Sequence, residues 1–528
     1  MNLMFVARYS RVMGMVAIVP LAGLVCAAGA VAQEKPSASA PAIAPAAPVV
    51  IYGRDNAPPT PKLEDLPLKG SISQYGITWT FDKPARVGQF VNGDWWVVGP
   101  VTVVSVSPAP GPAPAAEVTQ VAKNQFGDAA LQDDNRMRNG SMVILRGGNP
   151  GQGYDSRVKN FDPNLPIAMP YTLKVNHSLV STASHPASDL PVKTPFFRGS
   201  GRSSWAMLRT AAVLTCLPAA PPADAFRPCY VGDAKVIYRA KDLKREKLLK
   251  LKPVAGTPSY DEWARKFQRV WLDDQQGWLA SRTYPSENCP DYGREHARMI
   301  SIASLMLMLD APPEEKEKLL IGLVQVGIDL SGIAKLGGTW PGEGGIWSGR
   351  KWPILFAGIM LGDTKLHDLP ATAVFAEDQQ TYHGRSFFGQ TALWQMGIHH
   401  GKAPPYEEKD PAAWTAMDKR SEGYRICCTG NSWIGECLAA RLMGSMRIWN
   451  HDAFFDYCDR WMSAEDAEIA KKRPDTNSFQ GRAWDPFVTD MWKAYRAKCP
   501  EQAGASGNMK WVWGDGGKWV PNPKPKAE

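Results

Sequence analysis

From about residue 71 to residue 240 apolar and polar positions alternate in short runs broken by Gly, Pro and Asn. "YGITWTF", "DWWVVGPVTVVSV" and "SMVILRGG" are β-branched and aromatic runs of this kind, followed by "YTLKVNHSLVS", "SSWAMLRTAAVLTCL" and "AKVIYRA". Each reads as a strand. Many short strands between turn signals predict an all-β region, and two packed sheets are the simplest way to bury their inner faces.

Beyond residue 250 the apolar period lengthens to that of a helix. "YDEWARKFQRVWLDDQQGWLASR", "DYGREHARMISIASLMLML" and "PPEEKEKLLIGLVQVGIDLSGIAKLG" carry it first. "SGRKWPILFAGIMLGD", "GQTALWQMGIHH", "GNSWIGECLAARLMG", "HDAFFDYCDRWMSAED" and "DPFVTDMWKAYRAKC" follow. Asp291 is placed to cap the second helix, and Glu314-Glu315 put anions at the N-terminus of the third. Roughly seven or more consecutive helices joined by long loops predict an α/α toroid, a ring whose loops build a site at one end, with a helix bundle as the alternative. The fold class expected is therefore α+β and multidomain: a β-sandwich-like domain over 66–240, then an α/α toroid over 250–500 that carries any catalysis.

The ends differ in texture. Arg8 and Arg11, the apolar "VMGMVAIVPLAGLVCAAGA" and the small-residue signature Ala30-Val31-Ala32 predict a signal peptide over 1–32. Residues 33–65, rich in Ala, Pro and Ser, predict a disordered leader, and 501–528 a C-terminal tail. No later stretch is long and apolar enough to span a bilayer. The expected location is periplasmic or extracellular, with no stable membrane insertion once the leader is removed.

Composition narrows the function classes. The formal charge of +8 over 528 residues falls to +6 without Arg8 and Arg11. That excess is too small and scattered for a nucleic-acid binder, yet it suits a polyanion drawn to a local basic site. Many of the 20 Trp and 15 Tyr fall in Gly-containing loops, where rings can stack on sugars as well as fill a core. Export permits disulfides. Cys216 and Cys229, flanking "LPAAPPADAFRP", are the pair best placed to bridge, whereas the adjacent Cys427 and Cys428 fit disulfide geometry poorly. With no CxxC pair and no HExxH, no metal site is expected, and no cofactor.

Four stretches of the helical half concentrate chemistry. "YPSENCPDYGREHARM" brings Asn288, Tyr292, Arg294, Glu295 and His296 to a helix start, where a surface charge cluster is the plain interpretation. "GGTWPGEGGIWSGRKWP" sets Glu343 among glycines, between Trp340 and Trp347 and ahead of Arg350. A helix starting near Ser348 would stabilise the Glu343 carboxylate. Arg350 in its first turn opposes the dipole, and a substrate carboxylate would account for it. "TYHGR" joins Tyr382, His383 and Arg385 in a loop, a phenol, a proton carrier and a cation together. His399 and His400 at a helix end serve only its carbonyls. "SEGYRICCTGNSWIGE" supplies Tyr424 and Arg425 ahead of a Cys pair that reads as core, with Asn431-Ser432 as a helix cap.

These stretches, through "GGIWSGRKWPILFAG" and "YRICCTGNSWIGE", give residues 255–500 a texture that resembles secreted bacterial α/α-toroid polysaccharide lyases of the glucuronan and alginate type. The resemblance implies β-elimination on a uronic-acid polymer. The proton α to the carboxylate becomes removable once that charge is neutralised, a Tyr or His takes it, and a Tyr or His protonates the leaving oxygen. Tyr424 or His383 would be the base, Tyr382 the acid, and Arg350, Arg385, Arg425 or a protonated Glu343 the neutraliser, with Trp340 and Trp347 holding sugar. One alternative is a glycoside hydrolase with Glu343 as acid and Glu295, Asp291 or Glu422 as second carboxyl. Another is a non-catalytic glycan-binding envelope protein.

Overall fold

A computed structural model describes residues 49–117, 129–193, 203–396, 405–473, 481–500, 511–514 and 518–521. The segment 1–32, His399 and His400 lie outside these residues.

The β-rich half is one continuous sheet, which overturns the expected sandwich. Its strands are β1 (Leu68–Gln74), β2 (Ile77–Gln89), β3 (Trp95–Val98), β4 (Val101–Ser107), β5 (Ser141–Val143), β6 (Tyr171–Leu173), β7 (Ser178–Ser184) and β10 (Leu208–Leu217). A separate pair, β8 (Val192–Lys193) and β9 (Ser203–Ser204), stands apart. The order is β5-β7-β10-β3-β2-β4-β6, with β1 also on β2. β10 runs parallel to β3, from Leu214 opposite Trp95 to Leu217 opposite Val98. The other pairings in this sheet are antiparallel. The 13-residue β2 pairs with β4 near its start and with β3 at its end. Register breaks at Lys69/Ser71 and Thr80/Phe81 bend it between those partners, because a bulge kinks its strand and increases twist. The sheet therefore curls into a half-barrel around its own core of Trp79, Phe81, Val97, Val103 and Leu179, and needs no second sheet. The Trp79 indole N–H, buried there, donates to the Ser181 hydroxyl at 3.0 Å. The run "AKVIYRA", expected as a strand, stays irregular.

β10 shows how this sheet meets the helices. Every residue of "LRTAAVLTCL" except Arg209 is buried. Ala212, Leu214 and Cys216 point into the half-barrel, while Ala211 and Val213 face a cluster that continues through the helical half to Tyr495. A strand covered on both faces becomes a near-continuous apolar run. Arg227 adds a polar tie. It donates to Asp94, on the β2–β3 connection, at 2.5 Å, and to both oxygens of Asp329 on the long helix at 2.9 and 2.6 Å.

The helices are α1 (Tyr260–Phe267), α2 (Gly293–Leu307), α3 (Pro313–Lys335), α4 (Lys351–Leu361), α5 (Ala376–Gln380), α6 (Ala416–Tyr424), α7 (Gly430–Leu442), α8 (Met446–Trp449), α9 (Asp452–Met462), α10 (Ala464–Ala470) and α11 (Pro486–Tyr495). They do not form the expected toroid. A ring of helix pairs leaves its centre to loops, but here every residue of α7 is buried, as is every residue of α2 except Arg294. The two helices fill the centre against each other. Ser301 donates to the Ser432 carbonyl at 3.1 Å and accepts from the Glu436 N–H at 3.0 Å. A hairpin, β11 (Thr381–His383) with β12 (Ala392–Trp394), interrupts the helices where "GQTALWQMGIHH" had predicted one. Near the end of the chain β13 (Trp511–Gly514) pairs with β14 (Lys518–Pro521). The architecture is α+β. Among the described residues no helix is long and apolar enough to cross a membrane.

Candidate functional site

The loop 337–350 is held rigidly from below by α5. The Gln380 amide donates to the Gly344 carbonyl at 2.9 Å and accepts from the Gly344 N–H at 2.8 Å. Gln379 accepts from the Gly342 N–H at 2.8 Å, and Glu377 from the Gly349 N–H at 2.6 Å. Gly344 has φ +62°, and a Cβ there would lie 2.7 Å from the Tyr424 ring. Glycine is thus required both for the left-handed backbone and for the ring's approach. Trp340 and Trp347 are buried, Trp340 stacked on Phe375 with ring centroids 5.6 Å apart. They are core residues, not sugar platforms. Glu343 remains half-exposed.

The cations beside this loop turn inward. Arg350 does not sit inside the helix but at the N-cap of α4. Its guanidinium binds Asp273 at 2.7 and 3.1 Å, the Tyr284 hydroxyl at 3.2 Å and the Ser348 carbonyl at 2.7 Å. Burial would lower its pKa, but Asp273 more than compensates and raises it. Arg425 is likewise fully buried, in a cluster of three guanidiniums and three carboxylates. It donates to both oxygens of Glu422 at 2.8 and 2.7 Å. Arg460 grips Glu407 at 2.8 Å through both amines and Asp466 at 3.0 Å, while Arg473 reaches Glu407 at 3.2 Å and Glu422 at 3.4 Å. These interior partners replace the substrate carboxylate that the sequence had suggested for both arginines.

Tyr382 and His383 were expected to share a loop. They lie on β11, where neighbours face opposite sides. Tyr382 is buried, and burial, then Glu407, pushes its phenol well above the usual range. His383 sits outside, 2.8 Å from Asp456. Arg385, just after the strand, is exposed.

Glu343 and Tyr424 do converge, and Arg294 joins them. Tyr424 ends α6, and its half-buried ring lies against Gly344. A Cβ at the next loop residue, Gly345, would stand 2.9 Å from the Arg294 Cβ, and Gly293 at the start of α2 leaves no room for a methyl against the Ile346 carbonyl. Helix start, loop and π-turn (Arg425–Thr429) therefore meet at one rim. Arg294 donates to Glu295 at 2.6 Å and to the Cys427 carbonyl at 3.1 Å. Its other terminal amine makes no bond to a described residue. The Arg420 guanidinium lies 5.7 Å from the Tyr424 ring centroid, and that of Arg294 lies 5.3 Å from Tyr292. The sequence had offered Arg294 as ordinary surface charge; the missed signal is the glycine before it, which admits the loop.

Further expectations are corrected nearby. Cys427 and Cys428 form a disulfide in the π-turn, whereas Cys216 and Cys229 are free and buried. The irregular turn supplies a backbone that a regular helix would not give adjacent cysteines. Asp291 does not cap α2; it is buried 3.5 Å from Arg282, and Tyr292 holds the cap position. Asn431 and Ser432 lie inside α7, whose N-cap position is held by Thr429 without a side-chain capping bond. His296 is buried between Trp271 and Tyr284, and burial, then Arg350, drives its pKa down to about 3.

Two buried acids that sequence reasoning did not single out, Glu377 and Glu436, face each other, Glu377 also holding the end of the loop at Gly349. Burial outweighs the Gly349 N–H bond and pushes Glu377 up to about 7. Burial, then the charge of Glu377, raises Glu436 well above the carboxylate range. Neither oxygen of Glu436 has a hydrogen-bond partner among the described residues. No group of three or more His, Cys, Asp or Glu is arranged to hold a metal ion among the described residues. Comparison of the chain with protein-family models, curated proteins and solved structures finds no match.

Proposed function

We propose that the protein is an exported polysaccharide lyase that cleaves a uronic-acid polymer by β-elimination at the rim formed by Glu343, Tyr424 and Arg294. The observation that carries this reading is the packing of Tyr424 and Arg294 on consecutive glycines of the Glu343 loop, Gly344 and Gly345. It sets a phenol and a guanidinium with an open amine beside one half-exposed acid. Arg294 neutralises the sugar carboxylate with that amine. The phenolate of Tyr424 takes the α proton as the C–O bond to the leaving sugar breaks and a C=C bond forms, then returns the proton to the leaving oxygen. Glu343 accepts hydrogen bonds from sugar hydroxyls and orients the ring. The cation role thus moves from Arg350 and Arg425 to Arg294.

The hydrolase reading finds none of its three expected second carboxyls open at this rim among the described residues. Glu295, Asp291 and Glu422 are all buried. Glu295 is bound by Arg294 and Arg298 at 2.6 Å each, and Glu422 by Arg425. Hydrolysis needs two carboxyl groups reaching the scissile bond from opposite sides.

Incubation of the mature chain with a panel of polyuronates should yield an ultraviolet-absorbing unsaturated product, and Tyr424→Phe should slow it by about a hundredfold or more. New reducing ends without absorbance would indicate hydrolysis. Saturable binding with no product would indicate a glycan-binding protein.

A further inference from the structure

Two tryptophans are exposed among the described residues, Trp278 at 44% and Trp484 at 41%. Trp484 is the one tied to the rim. The Arg298 guanidinium lies 4.0 Å from its ring centroid, against 5.7 Å for Arg282 at Trp278. Arg298 is buried and fixed by Glu295 at 2.6 Å and by the Asn431 side chain at 3.2 Å. The Trp484 backbone N–H donates to the Asn431 carbonyl at 3.1 Å, and Asp485 caps α11 immediately after it. The indole is therefore a held platform over a buried cation.

Its position is defined by two elements of the rim. Arg294 and Arg298 are four residues apart on α2 and share a face, with Glu295 bonded to both. Tyr424 and Asn431 bracket the π-turn, so the phenol and the residue that holds Trp484 belong to one short run of chain. Two guanidiniums, Arg294 and Arg298, thus share the single carboxylate of Glu295 along this strip.

We propose that Trp484 is a second subsite on this strip, stacking on a sugar ring adjacent to the one handled at Tyr424, so that the ligand is an oligomer of acidic sugars longer than a disaccharide. An indole face excludes water from the apolar face of a pyranose, and the cation beneath keeps the indole in place. The proposal rests on the polyuronate reading above.

The test is calorimetric titration with alginate and polyglucuronate disaccharides and hexasaccharides, in a Tyr424→Phe background so that the ligand survives. Trp484→Ala should weaken hexasaccharide binding about tenfold and leave disaccharide binding unchanged. Trp484→Phe should retain most of the affinity while abolishing the change in tryptophan fluorescence on binding. Hexasaccharide affinity unaltered by Trp484→Ala would overturn the subsite and leave the polyuronate reading standing. No binding of any of these probes by the parent chain would overturn both.

Discussion

Replacing Arg425 with alanine is expected to destabilise the fold by about 3–5 kcal/mol, the range for removing one partner of a buried ion pair. Whole-domain stabilities are only about 5–15 kcal/mol, so the urea midpoint should fall far. The reason is the balance of the cluster. Arg425, Arg460 and Arg473 face Glu407, Glu422 and Asp466, all buried but Arg460, which is half-buried. Burial alone would raise the Glu407 pKa, but Arg460 and then Arg473 hold it far below the carboxylate range. Taking away one guanidinium leaves a net anion in the interior, with Glu422 dependent on Arg473 at 3.4 Å and the Tyr406 hydroxyl at 2.6 Å. Removing both charges of the pair, with Arg425→Met and Glu422→Gln together, leaves the rest neutral and should cost less than Arg425→Ala alone. Weakened polymer binding at an unchanged midpoint would instead place Arg425 at the ligand and reject this account.

That cluster also marks where sequence reading ends. The apolar runs at 77–81, 95–98, 101–107 and 208–217 were legible as strands because short β-branched and aromatic runs between turn residues are local properties. The parallel pairing of β10 with β3 was not, since it joins segments more than a hundred residues apart and decides between a sandwich and a curled sheet. In the helical half most helices were legible, but their arrangement was not: α7 is buried all round although it carries Asn431, Ser432, Glu436 and Arg441, so its apolar pattern does not distinguish a central helix from a ring member. Arg350 looked like a site residue because it opposed the dipole of an expected helix, but its acid, Asp273, comes from another segment. Arg425 has its main acid, Glu422, only three residues away, and Glu407 and Asp466 join from segments that the sequence does not place beside it. The close packing of the Glu343 loop was legible by contrast, because its glycines exclude a helix and admit neighbouring backbone and rings.

The pH dependence of stability should carry the signature of Glu436 and Glu377. As pH rises above the ordinary carboxylate range, the unfolded chain releases these two protons while the fold retains them. The fold therefore binds more protons than the unfolded chain, and stability falls as pH climbs, for Glu377 until about 7. Two buried histidines act oppositely. His296, held down to about 3, and His451, held down to about 4, stay neutral in the fold while the unfolded chain protonates, so their contribution is lost as pH falls below about 6.5. The two slopes overlap in mildly acidic solution and partly cancel. The informative quantity is the stability of Glu436→Gln minus that of the wild type. Glu436 faces Glu377, Asp378, Arg350 and Cys437, and its side-chain oxygens have no hydrogen-bond partner among the described residues, so a neutral amide imitates its protonated form. The difference should be small in acid and grow in favour of the variant by about 1.4 kcal/mol per pH unit once the unfolded glutamate ionises. Urea midpoints across the pH range measure it, and a difference that stays flat would show that Glu436 ionises in the fold as readily as in water.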